Sequence, residues 1–244
     1  MEPVSFVIAA LAIFVGAYAR GFSGFGSGMI WVGGLSIVLP PVVAVPTVFL
    51  LDIAASAHLL PRVWRDIDWR SMRWVLAGAF VSAPAGIYLL SRIPDTPLRI
   101  AIALTVLTAT ALLWKGFKTQ KPPGAGSSSL AGLLGGLIGG GLGMAGPPVI
   151  LLYFSSPLEV KVSRACLIAF LLGIDLIAAT VAYTQGLYTR EVGIWSLALV
   201  LPMLAGIVLG NRQFARTDPE RFRRFVLVLL AALSLAVLLR ALLG

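Results

Sequence analysis

Uncharged runs divide the chain at 3–19, 21–51, 74–91, 100–114, 122–158, 192–211 and 225–239. A further run at 165–189 is interrupted only by Asp175. A helix needs about 20 apolar residues to cross the hydrocarbon core, and flanking Arg or Lys can serve a shorter run by reaching the interface. The pattern predicts an all-α polytopic membrane protein. Two runs are too long for one crossing: 21–51 has 31 residues and 122–158 has 37. Each carries a glycine cluster followed by proline, Gly21 to Gly28 before Pro40 and Pro41, and Gly135 to Gly143 before Pro147 and Pro148. Glycine weakens a helix and proline removes an amide, so both runs are expected to break inside the membrane.

The two clusters match each other. At an offset of 115, Gly21, Gly24, Gly26, Gly28 and Met29 align with Gly136, Gly139, Gly141, Gly143 and Met144. Downstream, Thr47 falls near Ser163 and Arg164, and Asp52 near Asp175 after a small insertion. We read two transmembrane repeats, 1–116 and 129–244, joined by a cytoplasmic linker at 117–128. Each repeat is expected to be a Gly-rich re-entrant or broken hairpin plus three spanning helices, a frequent transporter plan. The competing reading makes the glycine segments ordinary helices packed through small residues.

Composition supports the membrane assignment. Hydrophobic residues make up 59% of the 244 positions and charged ones 12%, with mean hydropathy +0.96. A soluble domain carries roughly 25% charge. The net charge of +9 would suit nucleic acid, but the basic residues sit between apolar runs, so no nucleic-acid partner is expected. One Cys (Cys166) and one His (His58) argue against an internal disulfide, a zinc site or a Cys/His catalytic pair. No paired carboxylates at helical spacing within a span and no nucleophile elbow are present, so neither an enzyme nor a cofactor is expected. The N-terminus lacks a basic leader and a small-residue cleavage site, so no cleaved signal peptide is expected.

The basic residues also bear on topology. With eight full crossings they divide evenly between the two sides. If the two glycine-rich runs instead return to the side they entered, fourteen fall on one face, in 62–73, 115–121, 161–164 and 212–224. Arg92, Arg99, Arg190 and Arg240 then lie opposite. The positive-inside rule places the fourteen in the cytoplasm and both termini in the periplasm of a bacterial inner membrane, with the second repeat inverted. The block 62–73, with Trp64 and Trp69 among arginines, is expected to lie along the interface as a helix. Thr217 to Glu220 reads as the N-cap of a last span.

Several residues could carry chemistry. Arg20 lies between two uncharged runs, directly before the first cluster, and reads as a fixed cation for an anionic substrate. The alternative is an arginine reaching the surface. The second arms of the two breaks are expected near Ser27 to Met29 and at Pro147, aiming helix N-termini at the midplane. Gly24, Gly26, Gly28, Gly141 and Gly143 would let a ligand approach the backbone. Met144 lies at the second turn and is a candidate contact, although packing is the first reading of both Met29 and Met144. Ser23, Ser27 and Thr47 offer hydroxyls, and Arg164 either enters the cavity or serves topology. Asp52, Asp175 and His58 are the candidates for coupling; the two carboxylates could equally neutralise an arginine.

Three segments then resemble the TauE/SafE family of membrane transporters. They are Arg20-Gly-Phe-Ser-Gly-Phe-Gly-Ser-Gly-Met-Ile30, Pro40-Pro-Val-Val-Ala-Val-Pro-Thr47 and Gly139-Gly-Gly-Leu-Gly-Met-Ala-Gly-Pro-Pro148. The duplicated layout, covering nearly the whole chain, adds to the likeness. The resemblance implies a secondary transporter, commonly an exporter, of sulfite, sulfonates or related small anions. It leaves open a passive uniporter or channel, a non-transporting scaffold, proton coupling and an oligomeric state. The expected site lies between residues 20–28 and 139–147, with the two halves rocking around it.

Overall fold

The computed structural model describes residues 3–94, 96–98, 100, 101, 104, 108, 111 and 121–214. Among the described residues, the regular elements are all helical. Those described from end to end are α1 (Pro3–Ser23), α2 (Ser27–Val38), α3 (Pro41–Val63), a 3-10 turn (Trp64–Asp66), α4 (Trp69–Arg92), α5 (Ala125–Leu142), α6 (Gly146–Phe154), α7 (Val160–Thr184) and α8 (Arg190–Phe214). Six of them, α1, α3, α4, α5, α7 and α8, are long and apolar enough to cross a membrane. The multi-pass reading therefore stands. The run at 225–239, the cap at 217–220 and most of 100–114 lie outside the described residues, as do many of the arginines and lysines used for topology.

Glycine and proline place the breaks. Between α1 and α2, Gly24 and Gly26 have φ of 81° and 88°, a region that side chains disfavour and glycine enters freely. α2 then stops at Val38, because Leu39 precedes Pro40 and is pushed to extended φ/ψ of −121° and 152°. Pro41 opens α3, where the missing amide costs nothing. The first long run thus breaks twice, and α1 continues through Gly21 as far as Ser23. In the second run Gly143, at φ 65°, ends α5, and Pro147 and Pro148 lie in the first turn of α6. α5 starts at Ala125, four residues before the repeat boundary expected at 129.

The sequence of long, short, long and long helices occurs twice, in α1–α4 and α5–α8. Packing repeats the pattern reciprocally: α1 lies along α8 and α5 along α4, each short helix folds against the helix before it, and α3 packs against α7. α3 also meets α8 as α7 meets α4. Exchanging the two sets leaves these principal pairings unchanged. α3 and α7 form the centre, with 67% and 56% of their spans buried in the protein against 39% for α1, α4 and α8.

The outer pairs depend on small residues. A Cβ at Gly140 would meet the Ala83 carbonyl at 2.5 Å, and Gly132 and Gly136 press equally against the α4 backbone at Val75 and Ala79. Gly206 and Gly210 do the same for the α1 carbonyls of Phe14 and Tyr18. Such contact lets helix axes approach where apolar burial gives no advantage over lipid. Small-residue packing and helix breaking both occur, at different glycines.

The block 62–73 is not one interfacial helix. α3 ends at Val63, the 3-10 turn follows, and Asp68 caps α4 by accepting from the Arg70 amide at 3.2 Å. The Trp64 and Trp69 rings meet across this turn at 4.8 Å. Behind it, Ser71 Oγ lies 2.9 Å from the Tyr153 hydroxyl and donates to Asp68 Oδ2 at 2.7 Å. The Asp68 amide donates to Cys166 Sγ at 3.3 Å, so one buried network ties α6 and α7 to the start of α4.

Candidate functional site

The two breaks meet at the middle of the molecule. A Cβ on Gly28 would sit 2.9 Å from the Gly143 carbonyl oxygen, so the first turn of α2 lies against the α5–α6 turn. Between them a small cavity is lined by Gly26, Gly28, Met29 and Asp52 from the first set and by Gly143, Met144, Ala145, Gly146, Leu171 and Asp175 from the second. Its interior, ≈ 10 Å³, has room for about one water. The N-termini of α2 and α6 both open on it, where unpaired amides and the helix dipole favour negative charge. α2 begins at Ser27, as expected, and α6 at Gly146, one residue before the Pro147 expected to open the second arm. Pro147 and Pro148 carry no amide, so α6 presents fewer donors than α2.

Arg20 stands directly behind this wall and is fully buried, so it does not reach the surface. Its Nη1 donates to Asp52 Oδ1 and to Ser27 Oγ, each at 2.7 Å, and its Nη2 donates to Ser56 Oγ. Ser27 Oγ donates in turn to Asp52 Oδ1 at 3.1 Å. Asp52 and Ser56 are one turn apart on α3 and share the face turned toward α1. A buried charge must be paired and hydrogen-bonded to persist, and both terminal nitrogens of Arg20 meet that demand, while its Nε has no partner among the described residues. Of the two roles open to Asp52, neutralising Arg20 is the one seen here.

Asp175 enters from α7, 5% exposed, on the opposite wall. Its Oδ2 has no hydrogen-bond partner among the described residues. It lies within electrostatic reach of Asp52 and Arg20. Tyr188, in the loop after α7, has a buried hydroxyl also without a partner among the described residues. Burial first, and the Asp175 charge second, push its phenol up to about 12.

The remaining candidates fall elsewhere. Thr47 Oγ1 donates to the Val43 carbonyl of its own helix at 2.8 Å, with its side chain buried in packing. Gly141 is buried against Gly86 of α4, away from the cavity lining. Arg164, on α7, donates from Nη2 to the Gly21 carbonyl at 3.0 Å, so a cation meets the negative end of α1. Its stem lies under Gly24, which has no room for a side chain. His58 is exposed on α3, whose buried face carries Asp52, Ala55, Ser56 and Leu59. Pro147 is half-buried beside the lining, and Ser23 is the last residue of α1. Reading the residues alone missed Ser56 and Leu171 and took Met29 and Met144 for packing first, whereas Ala145 and Gly146 fall inside the expected stretch 139–147. The spacing of four between Asp52 and Ser56 was the signal for the first of these.

Residues 8–237 match the model of the sulfite exporter TauE/SafE family. The chain belongs to that family. It is 27% identical over 235 residues to the "Probable sulfite/organosulfonate exporter TauE" of Cupriavidus necator, covering 93% of this chain and 91% of that protein. It is 29% identical over 199 residues to the "Probable inner membrane transporter protein TsaS" of Comamonas testosteroni, covering 78% and 80%. No solved structure matches. Among TauE/SafE members, then, this is a multi-pass helical chain with a buried Arg–Asp pair behind a central cavity.

Proposed function

We propose that this TauE/SafE member is a secondary transporter, in the exporting direction, of small sulfur-containing anions such as sulfite or sulfonates, in a bacterial inner membrane. One observation carries the reading. Two helix breaks, one from each half of the chain, meet at a single cavity, and both present helix N-termini to it. The family description and the name of the Cupriavidus necator relative point to sulfur anions, and a tetrahedral oxyanion head suits convergent amides.

Alternating access follows from the same geometry. The interior admits about one water, so an oxyanion needs the walls to part. The reciprocal pairing of α1 with α8 and α4 with α5 supports inverted repeats that rock about the α3–α7 contact. The proposed substrate site comprises Gly26, Gly28, Gly143 and Met144, with Gly24 and Ser27 shaping the first turn. Ser23, Thr47, Gly141, Pro147 and Arg164 would act through the supporting helices. Arg20 polarises the first turn through Ser27 while Asp52 balances its charge. Coupling falls to Asp52 or Asp175, with His58 the more remote candidate. A passive uniporter is the second reading, because an inside-negative potential expels a monovalent anion with about 2.3 kcal/mol per 100 mV.

The test is flux in proteoliposomes of sulfite, sulfate, thiosulfate, taurine, sulfoacetate, acetate and chloride, with and without a pH gradient. Saturable flux of a sulfur anion, abolished in Gly28→Leu, supports the site. Absence of flux for every anion with folded protein in both orientations overturns it.

A further inference from the structure

The cavity that is to receive an anion is walled by two carboxylates, and only one is balanced. Arg20 and Asp52 cancel at 2.7 Å. No such partner stands beside Asp175 Oδ2, which is buried, faces the cavity and accepts no hydrogen bond among the described residues. The neighbouring elements supply little relief. From α1 and α3 come Arg20 and Asp52, already paired, and from the loop after α7 comes Tyr188, which remains neutral to about 12. α5 and α6 contain no acidic or basic side chain, although α6 has Tyr153, engaged with Ser71. The arginines of α4 are exposed, and on α7 itself Lys161, Arg164 and Cys166 lie two or more turns away. An ionised Asp175 would therefore repel any anion placed between the two helix N-termini, across a buried wall that screens weakly.

We infer that Asp175 takes up one proton on Oδ2 when the anion occupies the cavity, so that anion and proton cross the membrane together. The inference rests on the transport reading above and assigns its coupling group. Asp52 is unsuited to the task, because protonating it would strand the buried Arg20 charge. His58 is on an exposed face, off the cavity. The proton comes from the aqueous side to which the cavity opens and is released with the anion; no bond other than the O–H is made or broken. For a monovalent anion the charges cancel, so the membrane potential drops out of the driving force. An inward proton gradient then opposes export, and outflow needs a larger opposing anion gradient.

The experiment uses the full chain in liposomes with methanesulfonate as probe, because a sulfonate stays ionised across the working pH range while sulfite does not. Two readouts are taken: exchange of labelled methanesulfonate across pH, and the internal pH during net anion movement. The wild type should lose exchange by about tenfold per pH unit above its midpoint, as one titrating group requires. Net inward flux should acidify the lumen and ignore an imposed potential. Asp175→Asn, a neutral carboxylic-acid mimic, should exchange at a rate independent of pH. Asp175→Glu should keep the slope with a displaced midpoint, and it decides the matter if the Asn variant does not fold.

A pH-independent wild type, or an Asn variant with the wild-type slope, would overturn the inference. So would a Glu variant with an unmoved midpoint, or dependence on sodium in place of protons. A wild type that moves neither methanesulfonate nor any anion of the wider panel fails at the transport reading itself. Carriage of panel anions without any lumenal acidification fails only here.

Discussion

The two turns that face each other across the cavity both break at positive-φ glycine, two in the first and one in the second, and differ in chemistry. In the α1–α2 turn, positive-φ Gly24 and Gly26 are flanked by Arg20 and Ser27, which lock onto Asp52 and Ser56 of α3. In the α5–α6 turn, positive-φ Gly143 is flanked by Met144, Ala145 and two prolines, with no charged side chain. The first turn is held by a buried ion-pair network and the second by apolar packing and proline. Two glycine-built helix breaks on one cavity can therefore differ in how they are held, one beside an internally neutral ion pair and the other without a charged side chain. The asymmetry also shows in donors: the first turn of α2 retains its amides, whereas α6 gives up two of them to proline.

Removing the anchor should break that comparison most strongly. Arg20→Ala leaves Asp52 buried without its cation, and thermal unfolding in detergent should register a loss of about 3–5 kcal/mol. Arg20→Met combined with Asp52→Leu removes both charges and should recover most of that stability, which separates pairing from mere bulk. Next in size is the packing between α4 and α5. Gly136→Leu has no space against Ala79 and Ser82 and should cost about 1–3 kcal/mol or more. Gly193→Ala, with open space around it, should be neutral to slightly stabilising in the same assay.

A smaller effect sharpens the picture around Asp175. Tyr188 titrates near 12 in the folded protein against an ordinary 10.0, so the fold favours its neutral form. The corresponding stability is complete below pH 10 and is lost as pH rises from 10 towards 12. Tyr188→Phe should remove that part of the alkaline loss, and ultraviolet titration should show one late phenol missing. The smallest effect belongs to the surface pair of Lys161 and Asp66, 2.9 Å apart but with the lysine side chain 72% exposed. Lys161→Ala should change stability by less than about 1 kcal/mol, and less again in high salt.

Much of the arrangement was legible in the residues. Apolar runs marked the spans because a bilayer tolerates little else at that length. The Gly-rich segments marked breaks near Ser27 and Pro147, since glycine and proline act locally on the backbone. The same reasoning could not separate Gly136 and Gly140, which serve helix contact, from Gly143, which ends a helix. All are glycines in one run, and what differs is the neighbour brought against each by the fold. The block 62–73 failed as a single helix because Asp68 offers a cap that starts α4 afresh, and the charge pattern had hidden it.

The sequence by itself determined a helical multi-pass membrane protein with two interrupted glycine-rich runs and a few charges stranded among apolar residues. Those features depend on composition and on interactions between near neighbours. Only the tertiary structure decided that Arg20 meets Asp52, 32 positions away, and that Arg164 holds the end of α1. It also placed Asp175 on the same cavity as Asp52 and turned His58 and Thr47 from it. Partner choice for a buried charge is decided by which helix faces pack together, and those faces lie 32 positions apart for Arg20 and Asp52 and 143 apart for Arg164 and Gly21.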